Sequence, residues 1–372
     1  MSTATRINLS APWIDERDEE LVLEVLRSGW LSLGPVGPRF ESLLADAVGA
    51  PHCAAVSSGT AGLHLCMRLA DVGPGDEVIT SPYSFVASAN CAIYEGALPV
   101  FADIDPRTYN LDPAAVEAAI TPKTKAIVAV DIFGYPAEYD ELLALCDRHG
   151  IALIEDSCEA LGARYKGRPL GSHGWPAVWA FYPNKQMTTG EGGMVTTQSE
   201  DEWRLLRSLR NQGRSDSGGW LEHVRLGYNY RLDDVRAALG LGQLGKLDEI
   251  LALRSSVAER YAELLAGIDG VEVPFADDAD HIRSWFVYVV ALPDNDARER
   301  VIAHFEQERI GYNRYLPSVH LQPYMRERYG FREGMLPVSE DCSARTLALP
   351  FHARLGRDDQ EYVVETLRTV LQ

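Results

Sequence analysis

Short apolar runs and amphipathic stretches alternate along the first two thirds of the chain. Apolar runs of strand length occupy residues 52–56, 76–80, 99–103, 126–130, 151–155 and 178–182. Helical patterns occupy residues 15–28, 40–48, 61–70, 86–95, 113–120, 137–149 and 200–210. Strands that alternate with helices in this way predict an α/β domain with a largely parallel sheet.

The pattern changes after residue 250. A long helical pattern at residues 237–260 is followed by a predicted strand at 284–292 and by helices at 297–308 and 360–370. We therefore expect a large α/β domain over residues 1–250 and a smaller α+β domain over residues 251–372. The helix at residues 15–28 has acids in its first turn and Gly29 at its end, and it opens the large domain.

Chemically useful residues follow several of the predicted strands. The turn at residues 58–60, Phe85, Asp156 and Lys185 all fall at or just beyond a strand end, where ligands of parallel sheets bind. A desolvated lysine in that position can act as an amine nucleophile. The alternative for Lys185 alone is a surface lysine that happens to follow a strand. The shared position of the four features favours the functional interpretation.

The sequence SSGT at residues 57–60 joins a predicted strand to a predicted helix. A small polar turn in that context can hold an anion, usually a phosphate, at the helix N-terminus. The segment contains neither the GK[ST] of a Walker loop nor a GxGxxG motif. Ordinary capping of the helix by Ser and Thr is the alternative.

Composition excludes several classes of function. The formal net charge of −19 disfavours nucleic acid as a partner, because phosphate backbones require a basic surface. The six cysteines are scattered without a CxxC pair, which argues against a zinc site or a disulfide framework and favours the reducing cytoplasm. No signal peptide or membrane-spanning run is expected, and no metal is predicted.

The four strand-end features together match the requirements of pyridoxal 5'-phosphate. Its phosphate needs amides and hydroxyls, and its ring needs an aromatic face to stack on. Its ring nitrogen needs a carboxylate, and its aldehyde needs a lysine for the Schiff base. The residues therefore predict this cofactor, which alternates with pyridoxamine 5'-phosphate during turnover.

Ordered motifs extend this prediction to a family. The segments SSGTAGLHL, GPGDEVITSPYSFVASAN, PVFADIDPRTYNLDP, AITPKTKAIV, IEDSCEALGARYKG, FYPNKQMTTGEGG, LRNQG and GYNYRLDD occur in order across nearly the whole chain. In these segments the chain resembles the DegT/DnrJ/EryC1/StrS family of pyridoxal-phosphate-dependent nucleotide-sugar aminotransferases. The resemblance implies the fold-type I aminotransferase fold, with a mostly parallel seven-stranded sheet and a smaller C-terminal α+β domain. It also implies a cytoplasmic homodimer with shared active sites.

The resemblance assigns cofactor roles by position. Lys185 resembles the Schiff-base lysine, which also carries the proton between substrate and cofactor. Asp156 resembles the carboxylate partner of the ring nitrogen, Gly59 and Thr60 resemble the phosphate cradle, and Phe85 resembles the ring-stacking aromatic. For Asp156 the alternative is a helix-capping acid, and for Phe85 it is core packing.

Further roles lie outside this core. Asn229 resembles a phosphate ligand that each subunit donates to its neighbour, although alone it would be interpreted as a turn residue. Glu159 resembles the residue beside the ring hydroxyl. In the segment 313–324, which resembles one that returns to the active-site mouth, Arg314, Tyr315 and His320 are candidate substrate contacts. A domain-packing loop is the alternative for this segment.

Three positions depart from the usual family pattern. Ala180 stands where many relatives have a phosphate-binding serine, so one contact should be missing. Glu159 stands where many have glutamine. His173-Gly174-Trp175 replaces the more common Gly-Asp end of a GSxGD motif, and the sequence offers no physical reason for Trp175.

The predicted reaction transfers an amino group from glutamate to a keto group of a nucleotide-linked keto-deoxy sugar. The run NKQMTTGEGGM resembles the perosamine-synthase branch, so we expect amination at C-4. A C-3 sugar aminotransferase or a keto-cyclitol aminotransferase is the alternative. A sugar dehydratase is disfavoured because Lys185 is present where that group has histidine. A non-catalytic regulator is disfavoured by the same lysine and by the acidic charge.

Overall fold

The computed structural model describes residues 6–215, 219 and 221–371. Its helices are α1 (Glu16–Ser28), α2 (Val36–Val48), α3 (Gly59–Leu69), α4 (Ala87–Tyr94), α5 (Pro113–Ala119), α6 (Tyr139–His149), α7 (Glu200–Arg210), α8 (Asp234–Leu244), α9 (Leu247–Leu265), α10 (Asn295–Glu308), α11 (Pro323–Tyr329), α12 (Pro337–Arg345) and α13 (Arg357–Leu371). Its strands are β1 (His52–Val56), β2 (Glu77–Thr80), β3 (Leu98–Phe101), β4 (Thr124–Val130), β5 (Ala152–Asp156), β6 (Arg164–Tyr165), β7 (Arg168–Pro169), β8 (Ala177–Ala180), β9 (Gly193–Thr197), β10 (His281–Ile282), β11 (Tyr288–Ala291) and β12 (Thr346–Leu349).

Seven strands form one sheet in the order β1-β9-β8-β5-β4-β2-β3. The pairs β8–β5, β5–β4, β4–β2 and β2–β3 are parallel, whereas β9 runs antiparallel to both of its neighbours. The predicted α/β class with a mostly parallel seven-stranded sheet is confirmed. The parallel strands β2, β5 and β8 therefore present their carboxyl ends at one edge, where a ligand can bind.

Helices cover both faces of this sheet. Alternate residues of β4 enter different apolar clusters: Ile127 and Ala129 pack with α2 and α6, while Ala126 and Val128 pack with α3 and α4. A strand buried on both faces has a continuous apolar sequence, which explains why TKAIVAV shows no polar alternation.

Helix α1 follows its sequence signals closely. The Asp15 side chain accepts the backbone N–H groups of Arg17 (3.2 Å) and Asp18 (3.4 Å), and the Asp18 carboxylate accepts the N–H of Asp15 (3.0 Å). This reciprocal capping begins the helix. Gly29 ends it with φ of 71°, a left-handed conformation that glycine adopts at low cost. The predicted helix at residues 15–28 is thus confirmed.

The predicted long helix at residues 237–260 is instead two helices, α8 and α9, with a break at Gly245 and Lys246. The Lys246 ammonium turns inward, where its Nζ lies 2.7 Å from Asp15 Oδ2 and 2.6 Å from Asp18 Oδ2. A local periodic pattern cannot reveal this long-range ion pair, which explains the error.

The predicted strand at residues 284–292 is also shorter, because only Tyr288–Ala291 pairs with β12. Ser284 bonds to the large domain instead: its N–H donates to Gly134 O (3.0 Å) and its hydroxyl donates to Leu161 O (2.5 Å). These bonds bring the start of the segment to the edge of the sheet that carries the candidate residues.

A second core lies in the C-terminal part of the chain, between α9, α10, α13 and the β11–β12 pair. Helix α9 joins the two cores, since Leu247 packs beside the main sheet and Val257 packs in the second core. The predicted division at residue 250 falls within the first turn of this helix. Ile7 also packs in the second core, and Gly311 N donates to Ile7 O (2.8 Å).

Within the described ranges, no helix combines the length and apolar composition that a membrane span requires. All six cysteines lie in those ranges and all are unpaired thiols.

Candidate active site

Lys185 lies in a turn five residues beyond the end of β8, closed by its N–H donating to Tyr182 O (2.9 Å). Its Nζ is 3.4 Å from Glu159 Oε1 and 4.0 Å from the centroid of the Phe286 ring. The lysine side chain is 14% exposed. The amine is therefore largely withdrawn from water, between a carboxylate and an aromatic face.

Glu159 is held on both sides of its carboxyl group. Oε2 accepts the Phe133 N–H (3.0 Å), Oε1 faces Lys185, and the Gln186 amide donates to the Glu159 carbonyl (2.5 Å). Burial raises the pKa of Glu159, and the nearby Lys185 ammonium opposes that rise. The Glu159 carboxyl group is therefore fixed directly beside the lysine amine.

Asp156 ends β5 and is almost fully buried. Oδ2 accepts the hydroxyl of Ser88 (2.8 Å), whose own oxygen is 2.8 Å from the Ser84 hydroxyl, and Oδ1 accepts the Cys158 N–H (3.3 Å). These contacts fix the direction of the carboxylate. Sequence reasoning missed Ser88, because a serine within a helix carries no signal of a partner 68 residues away.

The turn at residues 58–60 begins α3. The Ser58 hydroxyl accepts the Ala61 N–H (3.1 Å), so capping by Ser58 is present. A Cβ on Gly59 would lie 2.8 Å from both Ala180 Cβ and Cys158 Sγ, so only glycine fits between the helix start and these neighbours. Thr60 is half-buried at the same helix start. The helix N-terminus thus lies directly beside the end of β8 and the segment that follows Asp156.

Phe85 and Asn229 are both exposed, Phe85 with 63% of its surface accessible. Phe85 lies just before α4, and its carbonyl accepts the N–H of Ser88 (3.2 Å), the residue that binds Asp156. Asn229 lies in a separate hairpin, where it pairs with Asn211. The backbone of Phe85 therefore contacts the residue that binds Asp156, whereas Asn229 is exposed on a different segment of the chain.

The three candidates of the 313–324 segment have different surroundings. Tyr315 lies at the site: its hydroxyl accepts from the amide of Asn184 (3.4 Å), next to the lysine, and its ring stacks on Phe133 at 6.1 Å. Burial raises the pKa of Tyr315 to about 12, so this hydroxyl stays protonated at neutral pH.

Arg314 and His320 are engaged elsewhere. The Arg314 guanidinium makes two bonds to Glu299 (3.1 and 2.6 Å). His320 has no exposed surface, and its Nε2 lies 3.0 Å from Glu340 Oε1. The structure thus gives His320 a packing environment in place of the expected position at a mouth, and it brings only Tyr315 of the three to the lysine.

Trp175, which the sequence left unexplained, bonds to a side chain of β5. Its indole N–H donates to Glu155 Oε2 (2.8 Å), and its ring stacks on Tyr139 and on His173 with centroids 5.2 and 5.5 Å apart. Successive residues of a strand point to opposite faces. Trp175 therefore binds the residue before Asp156, on the side away from the lysine.

These residues fit pyridoxal phosphate. The cleft offers a sheltered amine at Lys185, an oriented carboxylate at Asp156 and a helix start at Gly59 that backbone can approach closely. When bound, the cofactor supplies an aldehyde for the amine and a ring that accepts electrons. Ala180, half-buried beside Gly59, has no hydroxyl to offer a phosphate.

Comparison with known proteins decides the family. The model of the DegT/DnrJ/EryC1/StrS aminotransferase family matches residues 12–368. The chain belongs to this family. It is a pyridoxal-phosphate-dependent sugar aminotransferase with the fold-type I architecture.

Two relatives of this aminotransferase are similar over nearly their full lengths. The spore coat polysaccharide biosynthesis protein SpsC of Bacillus subtilis is 39% identical, with 98% of this chain and 96% of that protein covered. The GDP-perosamine synthase of Caulobacter vibrioides is 38% identical, with 100% of both chains covered.

A solved relative carries the cofactor. Spr1654 of Streptococcus pneumoniae in its PLP-form superimposes with a TM-score of 0.93 at 29% identity, over 97% of both chains. The same protein in its PMP-form gives a TM-score of 0.94 at 28% identity, over 98% of this chain and 99% of that one. The predicted cofactor of the aminotransferase is confirmed.

Proposed function

We propose that this aminotransferase transfers the amino group of glutamate to the C-4 keto group of a nucleotide-linked 4-keto-6-deoxyhexose. The observation that carries the proposal is the full-length similarity to a GDP-perosamine synthase at 38% identity. The largely buried pairing of Lys185 with Glu159, at 3.4 Å, supports the amino-transfer part of the proposal.

The proposal assigns a step to each group at the lysine. Lys185 Nζ would bind the cofactor aldehyde and move the proton at the reacting carbon. Glu159, which bonds to that amine, would lie beside the ring hydroxyl. Asp156, oriented by Ser88, binds the ring nitrogen. Phe85 covers the ring face, and Gly59 with Thr60 holds the phosphate.

The same proposal includes a homodimer with shared active sites, in which Asn229 reaches the phosphate of the partner subunit. Asn229 is exposed on this chain. Large apolar side chains are exposed at Trp30, Leu31 and Leu33, and others at Leu221 and Leu226 lie in the hairpin that carries Asn229. Apolar surface of this extent on neighbouring segments is typical of a protein interface. The reduced cysteines support the proposed cytoplasmic location.

Two of the glycines after Lys185 are required by close packing within this chain. A Cβ on Gly193 would lie 2.6 Å from the Ser58 carbonyl carbon, and one on Gly192 would lie 2.2 Å from Thr189 Oγ1. Gly193 therefore allows the run to pack against the turn at residues 58–60, and Gly192 allows it to pack closely on Thr189. The exposed residues Gly190 and Glu191 are the part of the run that a sugar can approach.

Substrate contacts complete the proposal. In the proposal, Tyr315 contacts the sugar, which its hydrogen bond with Asn184 beside the lysine supports, whereas Arg314 must leave Glu299 to bind a pyrophosphate. His320 would need the segment to move before it could touch a substrate.

The test is incubation of the purified enzyme with glutamate and matched 3-keto and 4-keto nucleotide sugars. We expect product only from the 4-keto sugar, with the new amine at C-4 by NMR. Amination of only the 3-keto sugar, or of only a free keto-inositol, would contradict the acceptor and leave the aminotransferase activity standing.

A further inference from the structure

A cluster of partly buried polar side chains surrounds the two neighbours of Asn229 in the sequence. The two neighbouring side chains, Tyr228 and Tyr230, stack with ring centroids 5.0 Å apart and an angle of 8° between the planes. Both tyrosines are half-buried, whereas Asn229 is exposed. Successive residues of extended backbone point to opposite sides. The two rings therefore point into this chain while the amide between them points out of it.

The two tyrosine hydroxyls bind different members of one hydrogen-bonded pair of side chains: Tyr230 binds His64, and Tyr228 binds Glu95. His64 Nδ1 lies 3.0 Å from the Tyr230 hydroxyl, and His64 Nε2 lies 2.7 Å from Glu95 Oε1. The same Glu95 oxygen, Oε1, accepts the Tyr228 hydroxyl (2.9 Å). The second carboxylate oxygen of Glu95, Oε2, lies 3.4 Å from the Arg68 guanidinium. We call His64, Arg68, Glu95, Tyr228 and Tyr230 the tyrosine clamp.

The hydrogen-bond directions within the tyrosine clamp follow from its chemistry. A carboxylate can only accept, so the His64 Nε2 carries the proton that points to Glu95. Burial lowers the pKa of His64, which favours the neutral ring. Nδ1 of a neutral ring then accepts from the Tyr230 hydroxyl. Each hydroxyl and each ring nitrogen thus has a defined partner.

Backbone contacts connect the tyrosine clamp to the cofactor turn. Ser57 N donates to Tyr230 O (2.8 Å), and Gln212 N donates to Tyr228 O (2.8 Å). Ser57 immediately precedes the turn at residues 58–60, and His64 lies on α3, which that turn begins. One helix therefore begins at this chain's own phosphate turn and fixes the segment that presents Asn229.

We propose that His64 and Glu95 are positioning residues, which hold Tyr228 and Tyr230 so that Asn229 reaches the cofactor phosphate of the partner subunit. The inference rests on the shared sites of the proposed function. A clamp that only stabilised its own chain would affect the site on that chain. A clamp that aims Asn229 affects the site across the interface, and this difference makes the proposal testable.

The experiment uses Tyr230→Phe, which removes one hydroxyl and keeps the ring. Light scattering first establishes the oligomeric state of the wild-type holoenzyme. Two tagged heterodimers are then purified. In the first, one chain carries both Tyr230→Phe and Lys185→Ala and the other is wild type, so the remaining lysine site faces an altered clamp across the interface. In the second, the two changes are on different chains, so that site faces an intact clamp.

We expect the first heterodimer to bind pyridoxal phosphate about three- to tenfold more weakly at its remaining lysine site, the effect of losing about one hydrogen bond. The second should bind as tightly as a heterodimer of Lys185→Ala with wild type. Tyr362→Phe is the control, because it also removes one hydrogen-bonded tyrosine hydroxyl, which donates to Glu308 in the C-terminal part of the chain, and it should change the affinity of neither site. Glu95→Gln serves as a second clamp variant if Tyr230→Phe does not fold.

A weakened site in the second heterodimer, or equal affinity in both, would overturn the positioning role in a protein that is still a dimer. If the protein is a fully active monomer, the proposal of shared sites is wrong, and the proposed role of the tyrosine clamp is wrong with it. The NMR test of the acceptor is independent of both outcomes.

Discussion

Neighbouring side chains determine the surroundings of the three central residues of the site, Lys185, Glu159 and Asp156. The lysine amine is sheltered between Glu159 and the Phe286 ring, and the Asp156 carboxylate is oriented by Ser88. Few of these contacts are local in the sequence. At the residue scale, a change at each position should therefore alter cofactor chemistry more than it alters the fold.

Lys185→Ala should abolish the covalent bond to the cofactor while leaving the phosphate turn and Asp156 in place. We expect the variant to bind pyridoxal phosphate, to lose the bond that borohydride reduces, and to lose at least about 10²-fold in transamination rate. Lys166→Ala, which removes an exposed lysine paired with Asp140, is the control. A reduced bond that mass spectrometry maps to another lysine would contradict the assignment.

Ala180→Ser should restore a hydroxyl beside the start of α3. Ala180 Cβ lies 2.8 Å from the position of a Cβ on Gly59, so a serine there would stand beside the proposed phosphate cradle. We expect pyridoxal phosphate to bind more tightly by about 0.5–1.5 kcal/mol, the net value of one hydrogen bond. Unchanged or weaker affinity in a cofactor titration would mean that the pocket has repacked or that water already fills the gap.

At the scale of secondary-structure elements, the last two residues of β5 point to opposite faces of the strand and have different partners. Asp156 faces the cofactor site, and Glu155 faces a buried cluster with Asp131, Ser157 and Trp175. A carboxyl group in place of the Trp175 indole would face Glu155, whereas the indole N–H donates to Glu155 Oε2.

This cluster predicts a pH dependence of stability. Burial raises the pKa of Glu155 to about 7, so the protonated form is favoured in the folded state. The contribution of Glu155 to the free energy of unfolding is therefore complete below its unfolded pKa of 4.5, and it is lost as the pH rises through its folded pKa of about 7. Burial raises the pKa of Asp131 as well, which gives a contribution of the same sign.

Glu155→Gln should flatten this dependence, because the amide does not ionise. Urea unfolding of the holoenzyme between pH 5 and pH 8 should show a smaller fall in midpoint for the variant than for the wild type, even if the variant is less stable throughout. Asp131 remains, so some slope should persist. Glu249→Gln, at an exposed position on α9, is the control; equal slopes in all three proteins would refute the explanation.

At the scale of the whole molecule, the proposal of shared active sites is supported by the exposed Asn229 and by exposed apolar side chains on neighbouring segments. The prediction is that Lys185→Ala and Asn229→Ala homodimers are both impaired, while a heterodimer of the two regains activity. One of its sites then combines an intact lysine from one chain with the intact asparagine of the other.

Activity of tagged heterodimers, normalised to cofactor content, measures this recovery. A heterodimer of Lys185→Ala with wild type is the matched control, because it also has one intact lysine. No recovery in a stable heterodimer, or a fully active monomer by light scattering, would contradict the shared sites.

The sequence by itself determined the alternating elements, the strand ends and the residue types at them. Apolar periodicity predicted the sheet, because burial on two faces requires continuous apolar strands. Asp15 and Gly29 marked α1, because capping is a local interaction. The sequence also predicted one site for four residues that follow strands, because the carboxyl ends of parallel strands meet at one edge of the sheet: Lys185, Asp156, Gly59 and Phe85.

Only the tertiary structure decided the contacts between distant segments. The predicted long helix is interrupted at Lys246, whose side chain pairs with Asp15. Trp175, which the sequence left unexplained, donates its indole N–H to Glu155. His320 proved to be buried, and Ser88 proved to orient Asp156. Each of these depends on which polar group another segment brings within hydrogen-bonding distance. Periodicity reports which face of an element is buried, and it carries no information about the partner that buries it.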